Sequence, residues 1–428
     1  MQREPRNAWW WVPSLYFGQG LPYVTVTALS VILYKNLGIS NTDIALYTSW
    51  LYLPWVIKPL WSPAVDLMQT KRRWIIAMQA LIGIACGALA LTLPGPHFFA
   101  ATLAVFWLIA FSSATHDIAA DGFYMLAQPA HAQAAFVGVR SAFFRLALIT
   151  GQGGLVYLAG SLVKSSGSVT GAWATAFFLL AALFALLALY HRWALPIPDV
   201  DRPAPAAHGK ASAFAETFIA FFCRPDIAIV LTFLLTFRLG EAQALKLVTP
   251  FLLDPRESGG LAMATSDVGL VYGTIGVLAL TAGGIIGGIA ISRHGLSAWL
   301  WPMLLAVHVP NLVFVFLATA QPVSLVVIAA AIAVEQLGYG FGFAAYLLYM
   351  IFVVDRGGNN PHKTAHYAIC AGFMGLGMML PGMASGWLQE RLGYPKFFVW
   401  VCVATLPSLI VALFLKIDPA FGRKVANA

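Results

Sequence analysis

Charge is scarce in this chain. Of its 428 residues only 10% are Asp, Glu, Lys or Arg, against 60% that are hydrophobic, and the mean hydropathy is +0.79. Water-soluble domains carry about 25% charged residues, so a soluble globular protein is excluded, and no large soluble domain fits beside the apolar runs. Cysteine is nearly as rare: Cys86, Cys223, Cys370 and Cys402 are scattered without paired metal-type spacing. That excludes a disulfide framework and points to small buried hydrophobes. No phosphate-cradling glycine loop, nucleophile-plus-base cluster or ATP site is visible. No cofactor is expected, and the energy for any work must come from an ion gradient or from a solute's own gradient. The excess of 25 Lys+Arg over 17 Asp+Glu gives a formal net charge of +8; in so apolar a chain it marks cytoplasmic loops rather than a nucleic-acid partner.

What the chain has in quantity is apolar length. A tilted membrane-spanning helix needs about 20 apolar residues, and twelve such runs lie near 9–34, 44–65, 74–94, 98–126, 137–162, 170–190, 226–252, 266–291, 297–319, 322–353, 364–387 and 396–416. The first is too long for a signal-peptide core and reads as a span. Between the sixth and seventh runs lies one polar, Pro/Ala-rich stretch that suits a flexible connector. The chain therefore reads as an all-α integral membrane protein, with a six-helix bundle over 1–190, a cytoplasmic linker over 191–218 and a second bundle over 219–428. With the termini and even-numbered loops on one face, that face carries fifteen Lys and Arg against five opposite. This places both termini in the cytoplasm. Trp9-Trp10-Trp11 reads as an interfacial anchor.

The halves also look like a weak repeat. Gly18-Gln19-Gly20-Leu21-Pro22 and then Asn41-Thr42-Asp43, opening the second run, are matched by Arg238-Leu239-Gly240-Glu241 and then Thr265-Ser266-Asp267, opening the eighth. A coincidence of helix caps would give the same pattern, but the offset agrees with the division into six plus six. Two parallel six-helix repeats joined by a polar loop describe the twelve-helix, pseudo-symmetric major facilitator architecture.

A charge in hydrocarbon costs at least about 2.5–3.5 kcal/mol, so intramembrane ionisable groups should face a cavity or a partner. Here they are Asp117 and Asp121 in the fourth run, Glu241 in the seventh, Glu335 in the tenth, and Lys58, Arg140, Arg145, Arg238 and Lys246. Asp117 and Asp121 stand four apart on one helical face. Two carboxylates so close in low dielectric resist joint ionisation, which suits a proton carrier. An ion-pair ladder fits equally well: on an antiparallel neighbour, Arg140 would meet Asp121 and Arg145 would meet Asp117. Arg238 and Glu241 are spaced to pair on one face. Glu335 is followed by Gly338, Gly340 and Gly342, which permit close helix approach. Asp66 with Lys71-Arg72-Arg73 resembles the loop motif between spans two and three of major facilitators, which implies a cytoplasmic gate, and a bare basic cluster explains the basic residues equally well; Asp66, Arg72 and Arg140 are the gating candidates, Gln19, His116, Arg145, Arg238 and Glu241 the substrate-binding candidates, and Asp117, Asp121 and Glu335 the proton-coupling ones. His362 and His366 have a metal-compatible spacing but no evident third ligand, and no metal site is expected.

Leu60-Trp61-Ser62-Pro63 with Asp66, the His116-Asp117-Ile118-Ala119-Ala120-Asp121-Gly122 run, Arg238-Leu239-Gly240-Glu241 and Glu335-Gln336 together resemble the AmpG-type muropeptide permease branch of the peptide/acetyl-coenzyme A transporter family of major facilitators. The resemblance runs from Gly20-Leu21-Pro22 to Pro381-Gly382 and Gly386-Trp387. It implies a proton-driven symporter of the bacterial inner membrane that imports cell-wall glycans and glycopeptides, with Asp117 and Asp121 as functional carboxylates. The branch places Gln before the first Asp and continues Asp-Ala-Trp-Lys-Thr-Asp, whereas this chain has His116 and Asp121-Gly122-Phe123-Tyr124-Met125-Leu126. A Lys and a third Asp are missing, which leaves a siderophore or another medium-sized solute as an alternative cargo, with acyl-coenzyme A the weakest. A membrane-embedded transferase is the rival from another class, and short loops with isolated acids argue against it. Both halves lie in one chain, so a monomer suffices, with membrane lipid and protons as its other partners.

Overall fold

The computed structural model describes residues 7–128, 130–202, 216, 218–355 and 363–423. All regular structure in them is helical. Ten stretches are long and apolar enough to cross a membrane: Ala8–Asn36, Lys71–Thr92, Phe98–Ala127, Gly138–Ser166, Val169–Ala194, Ile227–Leu253, Thr265–His294, Leu296–Ala320, Leu325–Asp355 and Ala365–Ala412. The last is two helices. Gly393 has φ +71°, in the left-handed region open to glycine, and separates 365–392 from 394–412. The remaining membrane segment is also broken, into Asn41–Trp50 and Leu53–Met68. Numbered in chain order, with that broken pair as span two, these helices are spans one to twelve. Span six ends at Ala194, four residues beyond the bundle limit expected from hydropathy.

The breaks have local causes. Pro54 lacks an N–H, and its ring crowds the carbonyl of Trp50, so span two cannot continue as one helix through Leu51 and Tyr52. Span seven breaks at Phe237 and Arg238, between Ile227–Thr236 and Leu239–Leu253. Thr25–Leu29, Ile149–Leu155 and Gly269–Gly276 are π-helical, a wider winding that recurs at functional sites. The caps differ from expectation at two places. Ser40, rather than the Asn41-Thr42-Asp43 run, caps span two by accepting from Asp43 N, because Asn41 and Thr42 spend their side chains on span eleven and its neighbours. Span eight has no side-chain cap; Thr265 Oγ1 instead reaches Asn36 Oδ1 at 3.0 Å.

Contacts group the chain into two compact units. The first comprises Met1–Ile39, Ile57–Ala206 and Ala264–Gly273. Span one lies on span five where Gly20 permits it: a Cβ there would stand 2.7 Å from Ala147 Cβ and 2.9 Å from the Phe144 carbonyl. The first turns of span eight lie as close to span five, with Gly269 against the backbone of Tyr157. Trp11, Leu15, Phe123 and Tyr124 anchor the apolar core at one end. Asp201, from the connector, accepts from the first two N–H groups of span three, Lys71 N at 2.8 Å and Arg72 N at 3.0 Å. A carboxylate there also complements the positive end of the helix dipole.

The second unit comprises Ser40–Val56, Ala207–Met263 and Thr274–Ala428. Span ten is its axis, flanked through glycine on two sides. Gly340 meets the Leu280 backbone of span eight, and Gly338 and Gly342 meet the Ala306 and Met303 carbonyls of span nine. Phe237 stacks on Tyr346 with centroids 4.3 Å apart. Asn41 Nδ2 donates to Gln389 Oε1 (2.8 Å) and Tyr394 Oη (3.0 Å), while Tyr394 Oη donates to Asp254 Oδ2 (2.6 Å). Thr42 donates from its N–H and its hydroxyl to Glu390. Of the cysteines, Cys86 and Cys370 are buried as expected, whereas Cys223 is exposed because it ends a half-exposed helical turn.

Candidate functional site

In the first unit the fourth span carries both aspartates, one turn apart. Asp121 Oδ1 accepts from Arg140 Nη2 at 2.7 Å and from Tyr16 Oη at 3.1 Å. The Arg140 guanidinium lies between two rings, 4.2 Å from the centroid of Tyr16 and 4.3 Å from that of Tyr124. This is a compact cation–π–carboxylate cluster built from spans one, four and five. The expected Asp121–Arg140 pair is therefore present. Asp117 is the more enclosed of the two carboxylates, and Lys58 Nζ of span two stands 3.9 Å from its Oδ2. Arg145 is half-buried on the same helix as Arg140.

Behind Asp117 runs a buried polar chain. Ser14 Oγ is 3.0 Å from His191 Nε2, His191 Nδ1 is 2.8 Å from Gln79 Oε1, and Gln79 Nε2 is 3.0 Å from His116 Nε2. With the Gln79 amide placed this way, His191 Nδ1 donates and His116 Nε2 accepts, so the His116 proton sits on Nδ1. That atom is buried without a partner. Turning the amide over reverses every role: His116 then donates through Nε2, His191 donates to Ser14, and the Ser14 hydroxyl faces the Trp11 carbonyl. Only a lone pair is then left unmet, so this orientation is the better satisfied one. Gln19 Oε1 is likewise buried and unpartnered.

The gating candidates separate. The side chain of Asp66 lies outside the described residues. Arg72 donates through Nε to the Leu195 carbonyl (3.3 Å) and through Nη2 to that of Arg192; it closes the C-terminal end of span six.

In the second unit, Arg238 and Glu241 form the expected pair, and it is two-pronged: Nε to Oε2 at 3.1 Å and Nη2 to Oε1 at 2.8 Å. Arg238 Nη2 also donates to Tyr339 Oη at 2.6 Å, and its guanidinium stands 5.0 Å from the Phe343 ring centroid. The break at Phe237–Arg238 leaves this pair at a helix start. Glu335 is buried one turn before Tyr339 on span ten and accepts from Gln336 Nε2 at 2.9 Å. His362 lies outside the described residues, and the ring of His366 is buried 5.2 Å from that of Phe221.

Sequence reasoning missed Tyr16, Ser14, Gln79, His191 and Tyr339 as members of these clusters, and named Lys58 and Lys246 only as charges. The available signal was the lone polar residue inside an apolar run, with Gln79 the clear case; His191 stands just past the end of its run, and both are wholly buried.

The model of the Major Facilitator Superfamily matches residues 15–362. The chain is 27% identical over 419 residues to the anhydromuropeptide permease of Escherichia coli K12, covering 96% of this chain and 80% of that one. Among solved structures it resembles a bacterial homologue of the human lysosomal transporter Spinster, with TM-score 0.70 at 14% identity over 97% of each chain. It also resembles a POT family transporter in complex with 5-aminolevulinic acid, with TM-score 0.71 at 12% identity over 94% and 95%. The permease likeness is the one anticipated from the Leu60–Asp66, His116–Gly122, Arg238–Glu241 and Glu335-Gln336 motifs together. It extends along nearly the whole chain and places it among transporters rather than enzymes. Helices throughout the described residues, multiple apolar helices long enough to cross a membrane, ion pairs within the spans and the matched model converge: the chain is a multi-pass membrane protein belonging to the Major Facilitator Superfamily.

Proposed function

We propose that this protein is a proton-coupled importer of cell-wall-derived anhydromuropeptides or related glycans across the bacterial inner membrane. It would work as a monomer of two six-helix halves, 1–190 and 219–428, joined by a cytoplasmic linker over 191–218, with both termini cytoplasmic. The observation that carries the cargo is the 27% identity to the Escherichia coli permease, which extends over 96% of the chain. The surplus of basic residues on the terminal face supports the orientation.

The geometry suggests how the coupling works. Asp117 and Asp121 each have a basic partner, Lys58 and Arg140; taking up a proton would neutralise the carboxylate and loosen that partner, a local charge change able to bias two conformations. Asp117, Asp121 and Glu335 are assigned to proton coupling. Arg145, Arg238, Glu241, His116 and Gln19 are assigned to cargo, supported at Gln19 by its unpartnered buried oxygen. Arg140, Arg72 and Asp66 are assigned to gating.

The test is uptake of labelled N-acetylglucosaminyl-anhydromuramic acid, with and without its peptide, into cells lacking their own permease. Wild type is expected to accumulate it, and a protonophore to stop accumulation. Asp117→Asn, folded and present in normal amount, is expected to lose accumulation against a gradient by about 100-fold, a coupling free energy within the usual range. Accumulation unchanged in Asp117→Asn removes that residue from coupling. No uptake by the folded wild type overturns the cargo.

A further inference from the structure

Arg238 has a carboxylate partner in the second unit, and Lys246, farther along the same span, has none. Its side chain is 3% exposed, and among the described residues no carboxylate lies within 4.0 Å of its ammonium. Nζ donates to Thr48 Oγ1 at 2.9 Å and stands 4.8 Å from the centroid of the Tyr52 ring. Thr48 spends its own hydroxyl hydrogen on the Ile44 carbonyl at 2.6 Å, so it faces Lys246 as an acceptor and fixes its position. An ammonium has three donors, which leaves two for something else. The residue after Thr48, Ser49, has its Oγ buried with no hydrogen-bond partner. Both side chains border the hydrogen face of Gly382: a Cβ placed there would lie 2.8 Å from Ser49 Oγ and 3.3 Å from Lys246 Cγ.

The chemistry asked for is therefore an acceptor with several lone pairs and one negative charge. Water could meet the hydrogen bonds but leaves a buried charge uncompensated. A carboxylate meets both demands. The backbone agrees: Thr48 and Ser49 close the first helix of span two and Tyr52 lies in its break, and interrupted spans in transporters cluster where ligands bind.

We propose that Lys246 and Ser49, with Thr48 holding the lysine in place, form a subsite around Gly382 for a single carboxylate of the transported solute. This rests on the cargo reading above only for the solute's identity; an anhydromuramyl sugar without its peptide supplies such a group on its lactyl arm, and one that carries a peptide supplies it from the peptide.

The test uses the full-length protein in lipid nanodiscs and two probes of equal size, N-acetylglucosaminyl-anhydromuramic acid and the same sugar with its carboxyl amidated. Wild type is expected to bind the acid about tenfold tighter than the amide, and Lys246→Met to bind both at the amide's affinity. Lys246→Arg keeps part of the preference. Gly382→Ala, which retains both side chains and puts a methyl group between them, is expected to lose the preference as well and serves if Lys246→Met does not fold. An acid preference that survives in Lys246→Met, or in Gly382→Ala where that variant stands in for it, overturns the proposal. If the wild type binds neither sugar, the cargo reading falls and the subsite is read from thermal unfolding in D-lactate against propylene glycol at matched ionic strength. Stabilisation by lactate in the wild type that is missing in Lys246→Met, or in Gly382→Ala in its place, supports the subsite. Equal shifts, or none in either protein, overturn it.

Discussion

Arg238→Met is expected to destabilise the protein by about 3–5 kcal/mol, and Arg238→Met/Glu241→Gln to recover most of that loss. The side chains of Arg238 and Glu241 are 10% and 3% exposed, and the guanidinium gives the carboxylate two hydrogen bonds. Removing it strands a buried charge and also takes away the hydrogen bond that Arg238 gives the Tyr339 hydroxyl. Replacing both ends takes the charge away altogether, which is why the double variant should stand above the single. The measurement is the unfolding midpoint in detergent of wild type, both singles and the double, read as a cycle. Additive singles would mean that the pair holds no coupling energy.

Gly340→Ala is expected to cost about 1–3 kcal/mol or more, or to abolish accumulation of folded protein. A methyl group at Gly340 would sit 2.8 Å from the Leu280 carbonyl carbon and 3.0 Å from Gly284 N, with the Leu280 oxygen nearer still. These are backbone atoms of span eight, which cannot turn aside as a side-chain tip can. Gly288 is the control. A Cβ there meets nothing within 4 Å, so Gly288→Ala is expected to be neutral or slightly stabilising, as alanine is the better helix former. Folded-protein yield and thermal midpoint compare the two, and equal behaviour would show that spans eight and ten tolerate separation.

Both of these features were legible in the sequence because both are periodic. Arg238 and Glu241 are three apart, and Gly338, Gly340 and Gly342 follow one another in an apolar run; helical geometry alone brings the first pair together and exposes the others as contact points. The Asp121–Arg140 pair was legible for a related reason, since adjacent antiparallel helices impose a simple register. What could not be read has no local period. Lys58 reaches Asp117 from another span, Thr48 meets Lys246 across 198 residues and Ser14 meets His191 across 177. Each is a polar residue in or at the end of an apolar run, and only tertiary packing selects its partner. The break in span two was hidden by hydropathy, which saw one continuous run over 44–65. It was written in Pro54, whose effect is on backbone hydrogen bonding and not on apolarity.

Thr70 caps span three locally by accepting from Arg73 N, but the acceptor for its first two N–H groups comes from far along the chain. Lys71 N and Asp201 are 130 residues apart, so when the ribosome has delivered span three, the acceptor for its first two N–H groups has not yet been made. Those groups lie at a membrane surface and stay hydrated until spans four, five and six have followed. Closure of this helix end is thus timed by biosynthesis. A nascent chain released at Ala194 has all six helices of its first half but two unmet N–H groups at the start of the third, and seven more residues supply the carboxylate that meets them.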